Sequence, residues 1–234
     1  MFSDSKIAIV NTFGDVVKSL RKTDIITSVQ LVAGTTNIFK ITAPNSLLEN
    51  EPVEIEGKDY LAFEVTDHNF KVLSIDGVIG GDNKPYYAKA PYYEHGHFLE
   101  IANKLTEKDA ATLLYKYQKY PLIALIQDFP ERRQTLKPTE ASLNILIITY
   151  TEQSYSSADR YVNTIIPILY PLYDSLLKAL KASRTFGGTF DHTKIDRVNW
   201  GTQRPYFNES LILNDYVDAI ELQDLQVQII NSPC

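Results

Sequence analysis

The order of apolar and polar positions along the chain predicts an α+β protein. In residues 7–20, Ile7, Val10, Phe13, Val16, Val17 and Leu20 recur at steps of three and four, the spacing of one helical face. Ser3 or Asp4 can cap the start, and Arg21-Lys22 complement the dipole at the carboxyl end. From Asp24 the period shortens. Residues 25–33, 37–42, 52–55, 59–65 and 69–75 read as short strands, divided by turn formers such as Gly34-Thr35-Thr36, Glu56-Gly57-Lys58 and Asp76-Gly77. Such short strands in close succession predict a small antiparallel barrel or sandwich of SH3-like or OB-like size. It is read as an all-β module, residues 24–80, inserted into an α+β core domain made of residues 1–23 and 81–234.

After the loop Gly80-Gly81-Asp82-Asn83, the stretch through Tyr86-Tyr87 and Pro91-Tyr92-Tyr93 is expected to run extended over a surface. A helix is expected over 98–105 and a second from the capping box at Thr106 through Tyr115. Residues 121–129 and 142–150 are dense in β-branched and aromatic residues and read as central strands, with 130–140 as a polar hairpin tip.

The main core helix starts at Ser156-Ser157-Ala158-Asp159. Its apolar stripe is Tyr161, Val162, Ile165, Ile166, Leu169, Leu172, Tyr173, Leu176, Leu177 and Leu180. Pro167 and Pro171 within it predict a kink or a break. Residues 183–208 read as a long connection rich in Gly, Arg and aromatics, a composition compatible with ordering on assembly or before it, and 217–230 alternate apolar and polar as one bent strand or two. Together these elements predict an antiparallel sheet covered by helices on one side.

Composition narrows the function classes. With 44% hydrophobic and 22% charged residues the chain resembles ordinary globular domains. Its single cysteine, Cys234, allows neither an intrachain disulfide nor a cysteine-based zinc site. No apolar run approaches the roughly 20 residues of a membrane span, and Met1 to Lys6 lack the order of a secretion signal, so a cytoplasm-like compartment and no membrane contact are expected. A net charge of −6 and a pI near 5.3 argue against a nucleic-acid coat and suit a surface that DNA slides past. Tyrosine is abundant, 15 against 10 Phe and one Trp, and an apolar ring with a polar tip suits interfaces.

Candidate chemistry is thin. His95-Gly96-His97 with Glu100 offers ligand types, but histidines two apart share a metal only on extended backbone. His192 with Asp191, Asp196 or Asp215 offers acid/base pairs, without a nucleophile elbow, a phosphate-cradling loop or a paired-histidine helix. The chain is therefore read as a non-enzyme without cofactor or metal. Its candidate interface residues are Tyr86, Tyr87, Tyr92, Tyr93, Arg132, Arg133, Arg197, Trp200 and Arg204.

The order of elements (helix, β insertion, short helices, two strands, long helix, terminal strand) resembles the tail-completion and tail-terminator proteins of tailed phages. The residues that carry the likeness are the first helix, Tyr120 to Leu125, Leu143 to Tyr150, the long helix and Tyr216 to Leu222. Gly96-His97-Phe98-Leu99-Glu100-Ile101 and His192-Thr193-Lys194-Ile195-Asp196-Arg197 also look like structural proteins of crAss-like phages. The resemblance implies a virion protein, made in the host cytoplasm, that forms a ring at the head-to-tail junction. It implies on the order of six or twelve copies in closed symmetry, contacts to portal and neighbouring tail or ring proteins, and DNA passing without sequence-specific binding. The rival expectations are a carbohydrate- or receptor-binding module of a phage tail, with the tyrosines and Trp200 as stacking platforms, and a small hydrolase using His192 or His97.

Overall fold

The computed structural model describes residues 5–20, 23–44, 47, 52–66, 68–77, 79–88, 90–109, 119–127, 129–134, 137–200 and 215–230. The chain divides into two compact units, Arg21–Ala90 and the pair of segments Met1–Leu20 and Pro91–Cys234. In chain order the elements begin with α1 (Ser5–Lys18), β1 (Thr23–Ile25), β2 (Ser28–Leu31), β3 (Ile38–Thr42), β4 (Pro52–Ile55) and β5 (Lys58–Leu61). β6 (Phe63–Thr66), β7 (Asn69–Leu73), β8 (Pro85–Ala88), β9 (Tyr92–Gly96), α2 (Phe98–Asp109), β10 (Leu122–Ile126), β11 (Glu131–Gln134) and β12 (Lys137–Tyr150) follow. α3 (Ser157–Arg160), a π-helical segment (Tyr161–Leu169) and α4 (Tyr170–Ala182) form one helical run; β13 (Phe186–Gly187), β14 (Thr193–Trp200) and β15 (Val217–Ile229) close the chain.

The fold is α+β. Unit Arg21–Ala90 holds two four-stranded antiparallel sheets, β1-β8-β4-β5 and β2-β3-β7-β6, around a core that includes Ile41, Val53, Ile55, Phe70, Val72 and Tyr86. The run expected as one strand over 25–33 is two strands in different sheets. They part at buried Ile26, whose N–H and C=O pair with Lys84 and Asn83. The run over 59–65 splits likewise around buried Ala62. The Pro- and Tyr-rich stretch expected on a surface supplies two strands, because Pro85 stands at a strand start, where its missing N–H is tolerated.

The other unit is a seven-stranded sheet ordered β13-β15-β12-β10-β9, with β11 against β12 and β14 against β15. Its pairs are antiparallel except β9 with β10, which run parallel and are joined through α2, a crossover of the kind parallel neighbours require. The hairpin tip expected over 130–140 contains β11, paired with β12. The expected connection over 183–208 contains β13 and β14, and residues 201–208 lie outside the described residues; α2 runs unbroken from Phe98 to Asp109 where two helices were expected, and the rest of the Thr106–Tyr115 pattern lies outside the described residues. The expected caps Ser3 and Asp4 also lie outside them.

Helices cover both faces of this sheet and not one. On the first face Ile123, Leu125, Leu143, Ile145, Ile147, Ile220 and Leu222 pack against Phe13 and Val17 of α1 and Ile165, Leu169, Leu176 and Leu180 of the long helix. On the second, Leu122, Ala124, Leu146, Ile148, Val217 and Ala219 pack against Ile101, Ala102 and Leu105 of α2. The capping box at Ser156 and Asp159 is formed as the sequence predicts. Pro167 lies inside the π segment, where Tyr170 N–H reaches back five residues to Ile165 O. Wide turns absorb the proline and re-phase the stripe, so Tyr161, Val162 and Ile166, expected in the core, are 37%, 66% and 53% exposed.

Candidate functional site

β14 and β15 each carry one extra residue, and these two bulges shape the sheet where α2 leaves it uncovered. In β15, Leu143 and Ile145 of β12 face Leu225 and Leu222, so three steps of β15 answer two of β12. Asp224 sits there at φ 56° and donates its N–H to Asn144 Oδ1 at 3.0 Å. The bulge flips the alternation: Ile220 and Leu222 before it and Leu225, Val227 and Ile229 after it all face the long helix. In β14, Arg197 faces Ala219 and Trp200 faces Val217, with Asn199 at φ 52° between them.

Asn199 N–H donates to Asp218 Oδ1 at 2.9 Å. Asp218 is fully buried, a carboxylate in line with the apolar positions of β15, and burial of that kind requires partners. Arg160, 1% exposed, donates from one terminal nitrogen to Asp218 Oδ1 at 3.2 Å, from the other to Glu152 O at 2.9 Å, and from Nε to Tyr155 O at 3.1 Å. Thr164 Oγ1 lies 2.6 Å from Asp218 Oδ2 and 2.5 Å from Arg160 O. A helix start, the π segment and an edge bulge thus converge on one carboxylate.

Past the bulge Trp200 meets Phe98, the first residue of α2, edge to face at 4.8 Å and 81°. The two rings wall a cleft of about 230 Å³, with Ile126, Leu146, Asn144 and Glu221 among its lining residues. Glu221 accepts from Arg197 Nε at 2.9 Å and from Gln223 at 2.7 Å. Its oxygens are occupied, and the cleft offers apolar contact with little free charge.

On the opposite face β14 meets α4 through polar groups. Tyr170 OH donates to Asp196 Oδ2 at 2.6 Å, Lys194 donates to Asp196 Oδ1 at 2.8 Å, and the Lys194 ammonium lies 3.9 Å from the Tyr170 ring centroid. The hydrogen bond to Asp196, with some burial, pushes the Tyr170 phenol up to about 12. His192 Nδ1 is 2.7 Å from Phe190 O, which can only accept, so Nδ1 carries the proton and Nε2 accepts from Tyr173 OH at 2.8 Å. Both ring nitrogens are engaged within the chain. Asp191 and Asp196 are not its partners, and Asp215 is held elsewhere, by Lys119 and Tyr120, each at 3.0 Å.

The remaining predicted residues scatter. Tyr86, 3% exposed, packs on Phe70 and donates to Pro44 O, and Tyr87 is half-buried on β8; both belong to the other unit. Tyr93 packs on Phe13 and donates to Val10 O, and it lies so close to α1 that a Cβ on Gly14 would come within 2.8 Å of its ring. Burial, and then Glu94, push its phenol up. Tyr92 joins Trp200 on the α2 side of the sheet. Arg132 is exposed on β11 beside Arg133; the Arg133 side chain and Arg204 lie outside the described residues. His97 Nδ1 accepts from Leu99 N–H at 3.3 Å at the start of α2, and burial, partly offset by Glu100, lowers the His95 imidazole. Among the described residues no three His, Cys, Asp or Glu side chains group as metal ligands. No protein-family model matches the chain, and no curated protein is significantly similar to it.

Sequence reasoning named Arg197 and Trp200 but missed Phe98, Asp218, Arg160 and Thr164. The available signal was Asp218 itself, an acid inside an apolar alternation.

Proposed function

We propose that the chain is a structural subunit that assembles with copies of itself, as a ring component at the head-to-tail junction of a tailed phage. The observation that carries the assembly reading is the long helix. One side seats Ile165, Leu169, Leu176 and Leu180 in the core, while the other exposes Tyr161, Val162 and Ile166. A helix apolar on both sides is the pattern of a helix with partners on both sides. A closed ring needs heterologous contact, in which one surface of a copy meets a different surface of the next. The helix strip and the Phe98–Trp200 cleft belong to opposite faces of one sheet, which supports that arrangement. The order of elements and the acidic balance support the phage context, with portal, tail and ring proteins as neighbours and DNA passing unread.

The carbohydrate- or receptor-binding reading draws on the Phe98–Trp200 cleft. Its volume of about 230 Å³ lies below the range of small-ligand sites, roughly 300–1,000 Å³, and favours a single side chain over a sugar chain. In the assembly reading the chain does no catalysis, with its histidines and buried acids holding the fold together.

The test is the mass in solution, by light scattering behind a sizing column at several concentrations, for the parent and the double variant Val162→Asp, Ile166→Asp. The expected result is a discrete oligomer in the parent that the variant loses. A parent that stays monomeric at every concentration, or a variant that assembles equally well, overturns the self-assembly reading.

A further inference from the structure

The side of β14 on which Trp200 lies is not the one that plain strand alternation gives it. Arg197 faces Ala219, on the α2 side of the sheet, so regular alternation would send Trp200 to the long-helix side. The extra residue in β14 reverses this and lays Trp200 against Phe98. The reversal takes Asn199 into the left-handed region at φ 52° and draws its N–H out of the ladder. Asp218 Oδ1 accepts that N–H at 2.9 Å, and Arg160 and Thr164 fix the carboxylate in place. The Asp224 bulge uses the same device, with Asn144 as the side-chain acceptor, and Asn144 also lines the cleft.

We propose that Asp218 is a positioning residue for Trp200: by holding the Asn199 bulge from inside the sheet, it forms the wall of the cleft on the opposite face. It touches nothing in the cleft and acts only through the backbone of β14. That the cleft serves assembly rests on the reading above; the placing of Trp200 does not.

Trp200 is the only tryptophan in the chain, so its emission reports the cleft alone. Asn199 is exposed and can be changed without opening a core. Asn199→Gly keeps the left-handed backbone and the N–H, and should leave the emission maximum and acrylamide quenching as in the parent. Asn199→Val disfavours that backbone, and should shift emission to the red and raise the quenching constant about two-fold, with far-UV circular dichroism retained. Asp218→Asn, which keeps the shape and loses the charge, should move Trp200 in the same direction. In the unmodified chain the Asn199 amide should exchange at least about 100-fold more slowly than a free amide, because Asp218 accepts its N–H.

Fast exchange of that amide overturns the proposal, whatever the variants do. So does a folded Asn199→Val or a folded Asp218→Asn whose emission and quenching match the parent. Light scattering on the same samples separates the two ideas. A monomeric parent with a responsive Trp200 removes the assembly reading and leaves the positioning role standing.

Discussion

The two faces of the seven-stranded sheet are cut from alternate residues of the same strands, yet they are different surfaces. Along β12, Leu143, Ile145 and Ile147 point one way and Asn144, Leu146 and Ile148 the other. On the long-helix face, aliphatic side chains continue from Ile220 to Ile229 along β15. On the α2 face they stop at one end, and Asn144, Glu221, Gln223 and Gln226 take over, linked by hydrogen bonds to one another or to neighbouring strands. The difference separates two kinds of surface: one face is closely packed and supplies stability, while the other keeps a cleft of about 230 Å³ beside Phe98 and Trp200, where the proposed assembly would seat a side chain.

The largest expected effect tests that division directly. Leu222→Ala removes a fully buried side chain from the long-helix face and should destabilise the protein by about 2–5 kcal/mol in chemical denaturation. Trp200→Ala removes a larger but half-buried ring from the α2 face, and should cost less than roughly half of that while changing assembly more. Equal losses in the two variants would mean that both faces bear the load, and the contrast would fail. A smaller effect sharpens it: Arg197 and Glu221 form a part-exposed pair, so Arg197→Ala should lower stability by no more than about 1 kcal/mol. A loss several times larger would make that pair part of the core and not of an open surface.

How much of this was legible follows the same contrast. Elements with one wet and one buried face announced themselves by period: the first helix at Phe13 and Val17, β3, β4, and the alternation from Ala219 to Ile229. β14 did not, because Thr193-Lys194-Ile195-Asp196-Arg197-Val198 is half-exposed and carries polar groups toward both faces; the ladder to β15 defines it, not burial. β8 and β9 were hidden by Pro85, Pro91 and Gly96, which punctuate local sequence whether or not a distant strand pairs. The outward turn of Val162 and Ile166 was invisible because the stripe was read at the α-helical period, whereas Tyr161–Leu169 is π-helical and turns more slowly. Of the candidate site, Trp200 was legible as a residue type, but its wall partner Phe98 and its support Asp218 depend on bulges, and the residues adopting positive φ there, Asn199 and Asp224, are types that tolerate that backbone but are too common to mark a bulge by themselves.

The last prediction asks whether β14 is tied on its long-helix face as well as through Trp200. Tyr170 of α4 donates to Asp196 of β14, and this bond holds the phenol up to about 12. The fold therefore favours the protonated phenol over its ordinary value of 10.0. The bond's contribution to stability is complete below pH 10 and is lost as pH rises from there through about 12. Tyr170→Phe removes it, and the tyrosinate absorbance difference between parent and variant should titrate near the upper end of that window. A difference centred on the ordinary phenol value would mean that Tyr170 is not held by Asp196 in solution. Asp218, which joins Thr164 of the long helix to the Asn199 bulge of β14, would then share the polar tie between the two elements with the Lys194 ammonium over the Tyr170 ring, and loss of Asp218 would loosen that edge strand further.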